Sequence, residues 1–158
     1  MKRRNFVKFI SAIVVCQVAG LIGSIFTTSS VNDWYTTIQK PSFNPPNWIF
    51  APVWTTLFLM MGISLYLILI KRLDRKVKLG LLLFGIQLFL NILWSFFFFG
   101  LKNPLFGFIE IIILWISIAI TMYQFWKIDK RSSYLLLPYL LWVTFAAVLN
   151  FYIWKLNL

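Results

Sequence analysis

Apolar residues fall into five long blocks along the chain, near positions 6–28, 48–70, 79–101, 104–126 and 133–154, with polar and charged residues gathered between them. Each block is close to the roughly 20 residues that carry an α-helix across the hydrocarbon of a bilayer. A backbone in hydrocarbon has to satisfy its own hydrogen bonds, and a helix does so within one segment. The pattern predicts an all-α integral membrane protein, a five-transmembrane-helix bundle forming a single domain over 1–158. The first block follows Met1, Lys2, Arg3 and Arg4 but is longer than the apolar core of a signal peptide, and no Ala-x-Ala site follows it; it reads as a retained anchor.

Within the blocks, certain faces are unsuited to lipid. In the first, Ala19, Gly23 and Thr27 recur every four residues, as do Gly20, Ser24 and Thr28, a spacing that lets helices approach closely. Trp54, Phe58 and Met61 share a face of the second. The third brings Gln87, Asn91, Trp94 and Ser95 together, and the fifth aligns Trp142, Ala146 and Asn150. Amides are costly in hydrocarbon, so Gln87, Asn91 and Asn150 are expected to face protein or a cavity. The fourth carries Glu110, followed by Ser117, Thr121 and Gln124 on the same stripe. A membrane carboxylate is a candidate functional site; the plainer expectation is that Glu110 lies near the outer interface, hydrogen-bonded to a neighbouring helix. Gly80 and Gly85 make the third helix a candidate dimer face.

The connection between the first two blocks, 29–47, has a different character. From Asp33 to Trp54 the chain holds four of its six prolines and three of its eight tryptophans. Pro41, Pro45 and Pro46 donate no backbone hydrogen bonds and favour extended or turn conformations. So aromatic a connection is expected to be an ordered lid, neither helix nor strand, over whatever the helices enclose.

Composition sharpens this picture. Hydrophobic residues make up 61% of the chain, against about 45–50% in a soluble globule. A net charge of +11 raises nucleic acid as a partner, but placement argues against it. Twelve of the fifteen Lys and Arg residues sit at the N-terminus and in the second and fourth connections, leaving Lys40, Lys102 and Lys155 on the other side. That asymmetry predicts a cytoplasmic N-terminus, with the proline-rich connection and the C-terminus outside. The chain has no histidine and a single cysteine, Cys16, so it can form neither an internal disulfide nor a His-based metal site. No Ser/His/Asp set or glycine-rich phosphate loop occurs. Asp74 and Asp129 lie among basic loop residues and read as solvated.

Aromatic residues account for 20% of the chain, and many serve as packing or interfacial anchors. Trp48, Trp126 and Trp154 lie at block ends and read as anchors. Trp54 and Trp142 lie inside their blocks beside small or aromatic residues. A flat apolar ligand needs aromatic walls, space beside them and a few polar groups. Trp54, Phe58, Trp94 and Trp142 can supply walls, Ala146 space and Asn91 a polar contact.

Three ordered groups of residues resemble the tryptophan-rich sensory protein/translocator protein family. The first is Trp34-Tyr35, Lys40-Pro41, Pro45-Pro46, Phe50 and Pro52-Val53-Trp54-Thr55. The second is Gln87-Leu88, Asn91, Leu93-Trp94-Ser95, Phe99-Gly100, Pro104 and Glu110. The third is Pro138-Tyr139, Trp142, Phe145-Ala146, Leu149-Asn150 and Trp154. The resemblance implies a five-helix bundle, commonly a homodimer, in a bacterial cell membrane, with a ligand cavity beneath the first loop. It implies binding of tetrapyrroles such as protoporphyrin IX and haem, and of isoquinoline carboxamide or benzodiazepine-type drugs, with no obligatory cofactor. It assigns Tyr35 and Pro45 to the lid, Phe58, Asn91, Ala146 and Trp94 to the cavity wall, and Trp54 and Trp142 to light-dependent breakdown of protoporphyrin IX. Without histidine, axial imidazole coordination of haem is ruled out, so metal-free porphyrin is expected to bind at least comparably. The C-terminal Leu149, Tyr152 and Lys155 match a sterol-contact pattern too weak to imply a sterol.

Three functions are in view. The first is a receptor or carrier for tetrapyrroles. The second is a light-dependent porphyrin-degrading enzyme using the same cavity. The third is a small exporter with Glu110 as a proton-coupled site, for which no inverted repeat speaks.

Overall fold

A computed structural model describes residues 2–158, with Lys2 described by its backbone alone. Met1 and the Lys2 side chain, counted in the N-terminal basic group, lie outside the described residues. The elements are α1 (Lys2–Val31), α2 (Trp34–Thr37), a 3₁₀ turn (Asn47–Ile49), α3 (Phe50–Leu69), α4 (Arg75–Ser95), a π-helical turn (Phe96–Gly100), α5 (Pro104–Trp126), α6 (Lys130–Leu135) and α7 (Leu137–Leu156). Five segments are long and apolar enough to cross a membrane: Arg3–Val31, Asn47–Leu69, Arg75–Gly100, Pro104–Trp126 and Lys130–Leu156. The protein is an all-α integral membrane protein with five membrane-spanning helices.

The first, third and fifth spans begin ahead of their apolar blocks, and in the third and fifth the cause is capping chemistry, which sets where a helix begins independently of hydropathy. Asp74 Oδ1 accepts from the Val77 amide at 2.8 Å, so α4 starts at Arg75 and takes in Arg75, Lys76 and Lys78, which the sequence pattern leaves in the connection. Asn103 Oδ1 accepts from the Phe106 amide at 3.1 Å, ahead of α5 with Pro104 in its first turn. Asp129 Oδ1 accepts from the Arg131 amide at 3.0 Å and opens α6. The fifth span breaks between α6 and α7, where Pro138 has no amide hydrogen to continue the ladder.

The most extensive interfaces pair α1 with α3, α4 with α5, and α5 with α7. Small residues set the first of these. A Cβ on Gly62 would lie 2.8 Å from the Ile13 Cα, and one on Gly20 would lie 2.6 Å from the Phe58 ring. Gly23 packs less tightly and against α4, with Ser95 Oγ 3.2 Å from where its Cβ would be. Gly80 and Gly85 do not form one free face. Gly80 packs on Phe125 and Ile128 of its own chain, whereas Gly85 faces open space. Five residues turn a helix by about 500°, so the two point in different directions.

Tertiary bonds close both ends of the bundle. At the basic end, Lys8 Nζ donates to the Leu69 carbonyl at 2.6 Å and Lys71 pairs with Asp129 at 2.7 Å. Asp129 is therefore buried and paired with Lys71 and Arg131, not solvated as its loop position suggests. Nearby, Ser64 and Ser132 exchange hydroxyl-to-carbonyl bonds at 2.8 and 2.9 Å, fastening α3 to α6. At the opposite end, the Asn157 side chain accepts from the Gln39 amide at 3.0 Å and donates to the Gln39 carbonyl at 2.9 Å.

Candidate functional site

The connection after α1 is not free of regular structure. The hydroxyls of Thr36 and Thr37 donate to the carbonyls of Asp33 and Trp34 at 2.6 and 2.8 Å, closing the single turn α2. That turn drives Tyr35 inward until it is 2% exposed. Its phenol donates to Asn44 Oδ1 at 2.6 Å. Burial pushes the phenol up to about 12, with the bond to Asn44 acting in the other direction, so it stays a protonated donor at neutral pH. Lys40 Nζ donates to the carbonyls of Tyr35 and Ile38 at 2.6 and 2.9 Å and lies 5.0 Å from the Tyr35 ring centre. Prolines cannot supply a backbone ladder here, and these side-chain bonds hold the segment instead. Pro45 is half-buried, and its carbonyl accepts from Asn44 Nδ2 at 3.1 Å.

Beneath Tyr35 the helices bring six rings into one group. Trp54 on α3 and Trp94 on α4 lie 5.9 Å apart at 32°, and Trp94 stacks on Phe98 at 5.8 Å. Phe50 bridges Tyr35 and Trp142, at 6.4 and 6.3 Å. The π-helical turn rotates Phe98 and Phe99 into this group, both packing edge-on or tilted against Tyr35. Two buried amides fix the walls. Trp94 Nε1 donates to Asn150 Oδ1 at 3.2 Å, while Asn150 Nδ2 donates to the Ala146 carbonyl at 2.8 Å. Asn91 Nδ2 donates to the Tyr139 hydroxyl at 2.9 Å. Trp142 Nε1 is buried with no hydrogen-bond partner.

Of the residues singled out in the sequence, Tyr35, Trp54, Trp94, Trp142 and Ala146 line one cavity. Phe58 supports it from behind, 5.8 Å from Trp54, and Asn91 acts through Tyr139. Pro45 is not among the lining residues. The cavity measures about 10 Å³, room for about one water, whereas ligand pockets run to roughly 300–1,000 Å³. The indoles point inward, but Trp54 packs on Trp94 and Phe50 on Trp142, and the hollow between them is closed.

Phe50, Phe98, Phe99, Leu149, Asn150 and Ile153 also line it and were not marked as site residues. Asn150 could have been, since it continues the Trp142–Ala146 face. Phe98 and Phe99 could not, because a run of four phenylalanines hides a change of helical pitch.

Glu110 is buried, and neither of its oxygens has a hydrogen-bond partner, contrary to the expected bond to a neighbouring helix. Gln87 is also buried with both amide atoms unpartnered. Further along the stripe, Thr121 donates to the Ser117 carbonyl and Gln124 to the Lys76 carbonyl, at 2.8 and 2.9 Å. No group of His, Cys, Asp or Glu able to hold a metal ion occurs among the described residues. Trp48 is 73% exposed, and Trp126 lies 5.1 Å beneath the Lys130 ammonium, both in keeping with interfacial anchoring.

Sequence comparison places the chain among known relatives. The model of the TspO/MBR family matches residues 12–155. A tryptophan-rich protein TspO from Chlorobaculum tepidum is 49% identical over 144 residues, covering 90% of this chain and 91% of its own. One from Archaeoglobus fulgidus is 44% identical over 155 residues, covering 97% and 99%. The translocator protein of Homo sapiens is 33% identical over 138 residues, covering 86% and 82%.

Proposed function

The chain belongs to the TspO/MBR family, and from that premise we propose that it is a membrane receptor or carrier for tetrapyrroles, protoporphyrin IX and haem among them. Benzodiazepine- and isoquinoline-type molecules share the site. The observation that carries this reading is the convergence of Tyr35, Trp54, Trp94 and Trp142 on one interior point beneath the first connection. Indole and phenol rings offer flat apolar faces to a macrocycle, and unpartnered Trp142 Nε1 is a donor for a polar edge of the ligand. Tyr35 and Pro45 belong to a lid, and Phe58, Asn91 and Ala146 to the wall. The closed hollow means that binding separates the indoles, so the protein takes its ligand from a minor open state. The N-terminus lies in the cytoplasm of a bacterial cell, the lid outside, and the chain works as a homodimer.

With no histidine in the chain, the macrocycle is held by its faces and edge groups, and metal-free protoporphyrin IX binds at least as well as haem. Absorbance titration of the full chain in detergent tests the site. Trp54→Ala/Trp142→Ala is expected to weaken protoporphyrin IX binding by about tenfold or more, and Trp48→Ala to leave it within about twofold. Equal losses in the two variants would place the pigment at the lipid-facing surface.

The pairing of Trp54 and Trp142 around one cavity also favours a second reading, light-driven oxidation of the bound porphyrin with dissolved dioxygen as the oxidant and these indoles as electron donors to the excited pigment. Trp54→Phe/Trp142→Phe is then expected to keep much of the binding and to slow loss of pigment under illumination; unchanged loss would leave only free-solution photooxidation.

A further inference from the structure

A second concavity lies at the opposite end of the bundle from the aromatic cavity. It is a groove of about 410 Å³ between the start of α4 and the end of α5, lined by Asp74, Arg75, Lys76, Leu79, Gln124 and Lys127. Arg75, Lys76 and Lys127 are exposed, and no carboxylate pairs with them among the described residues, where the ion pairs involve Lys71, Lys102 and Arg131 instead. The one carboxylate in the lining, Asp74, is engaged in capping α4 through the Val77 amide. Lys127 is held in place with its ammonium 3.9 Å from the Tyr123 ring centre. The groove therefore carries three cationic groups against one carboxylate.

What lies beneath the groove decides between a soluble anion and a lipid. From Leu79, the exposed residues Leu82, Ile86 and Phe89 continue down one face of α4. From Lys127, the exposed residues Tyr123, Ile120 and Ile116 continue down one face of α5. The two helices pack closely, so these stripes flank one apolar seam running from the basic groove toward the middle of the membrane. A free phosphate would use the cations and leave the seam unexplained. A zwitterionic lipid would use the seam and leave the cations uncompensated.

We propose that this groove is a specific site for an anionic phospholipid, whose headgroup phosphate sits among Arg75, Lys76 and Lys127 while an acyl chain lies along the α4–α5 seam. Basic residues at a membrane surface attract anionic lipid individually; the concave setting and the seam below confine that attraction to one molecule. The bound lipid would fasten α4 to α5 at the end remote from the tetrapyrrole cavity.

Native mass spectrometry of the full chain in a neutral detergent tests this. The probes are phosphatidylglycerol, phosphatidylcholine with the same acyl chains, and glycerol phosphate. One phosphatidylglycerol is expected to bind about tenfold or more tighter than phosphatidylcholine, with glycerol phosphate far weaker than either. Lys76→Gln/Lys127→Gln should remove the preference for the anionic lipid. Lys76→Arg/Lys127→Arg should keep it, as should Lys102→Gln at the other end. Because the replaced side chains are exposed, an unchanged melting temperature will show that the fold is kept. Should the glutamine variant instead lose its fold, the test passes to the unsubstituted chain, where phosphatidylcholine binding as tightly as phosphatidylglycerol overturns the proposal. Persistence of the preference in the folded glutamine variant also overturns it, and glycerol phosphate matching phosphatidylglycerol would reassign the groove to a soluble anion.

Discussion

At Glu110 a carboxyl group is buried inside a membrane-spanning helix with neither oxygen bonded. Removing such a group from water without a partner costs roughly 1–3 kcal/mol, and more if it is charged. Glu110→Met, similar in shape and without polar atoms, is expected to raise the melting temperature of the detergent-solubilised protein by a few degrees. A clear fall would mean that the carboxyl is engaged by a group that stabilises the fold. The sequence marks Glu110 as unusual because ionisable residues in lipid-length runs are rare, but spacing alone cannot say whether a bond awaits it. Trp54 and Trp142 were legible for a related reason: each lies inside its block, so neither suits an interfacial belt. Phe98 and Phe99 were not legible, because their inward turn depends on a π-helical turn, and the Ser95 and Gly100 that bracket it do not by themselves specify a change of helical pitch. Asp129 shows the same limit, since its burial depends on Lys71, far away in the chain.

At the level of elements, the α1–α3 contact depends on the missing side chain of Gly62. The obstacle to a Cβ there is the backbone of Ile13 at 2.8 Å, which cannot rotate away. Gly62→Ala is expected to destabilise by about 1–3 kcal/mol, while Gly85→Ala, with nothing within 4 Å, should be neutral or stabilising. Thermal unfolding of the pair checks this; equal behaviour would show that α1 and α3 can separate freely. Asp129 performs a comparable task between α3 and α6. Hydrogen bonds from Arg131 and the ion pair with Lys71 hold its carboxyl well below the usual carboxylate range, although burial opposes them. A depressed carboxylate stabilises the fold above its unfolded pKa, about 3.9, and loses that contribution as pH falls through the folded value. Asp129→Asn should therefore lower the melting temperature at pH 7, and the gap should narrow below about pH 4. A gap independent of pH would show that packing, not charge, is lost. Span number was readable from the apolar blocks, as were the bounds of the fourth span, Pro104–Trp126; the starts of the third and fifth were not, since Asp74 and Asp129 act as caps among charges that hydropathy assigns to loops.

For the molecule as a whole, the chief difference from the sequence expectation is the closed interior. The family resemblance implied an open hollow for a planar pigment, but the aromatic rings fill it to about 10 Å³. Apolar groups collapse onto one another when nothing separates them, and a residue pattern specifies the walls of a site without specifying their separation. A protein of this kind binds with an affinity scaled by the fraction of time it is open. The connection over the cavity is fastened to the end of α7 by the paired bonds between Gln39 and Asn157, so release of that contact is the natural route to opening. A covalent bond at the same place should abolish it reversibly. The decisive measurement is the affinity for protoporphyrin IX of a Gln39→Cys/Asn157→Cys chain, titrated first with the disulfide formed and then after reduction. Binding at least about tenfold weaker in the oxidised chain, recovered on reduction, is the predicted result; equal affinity in both states would contradict entry of the pigment beneath this connection.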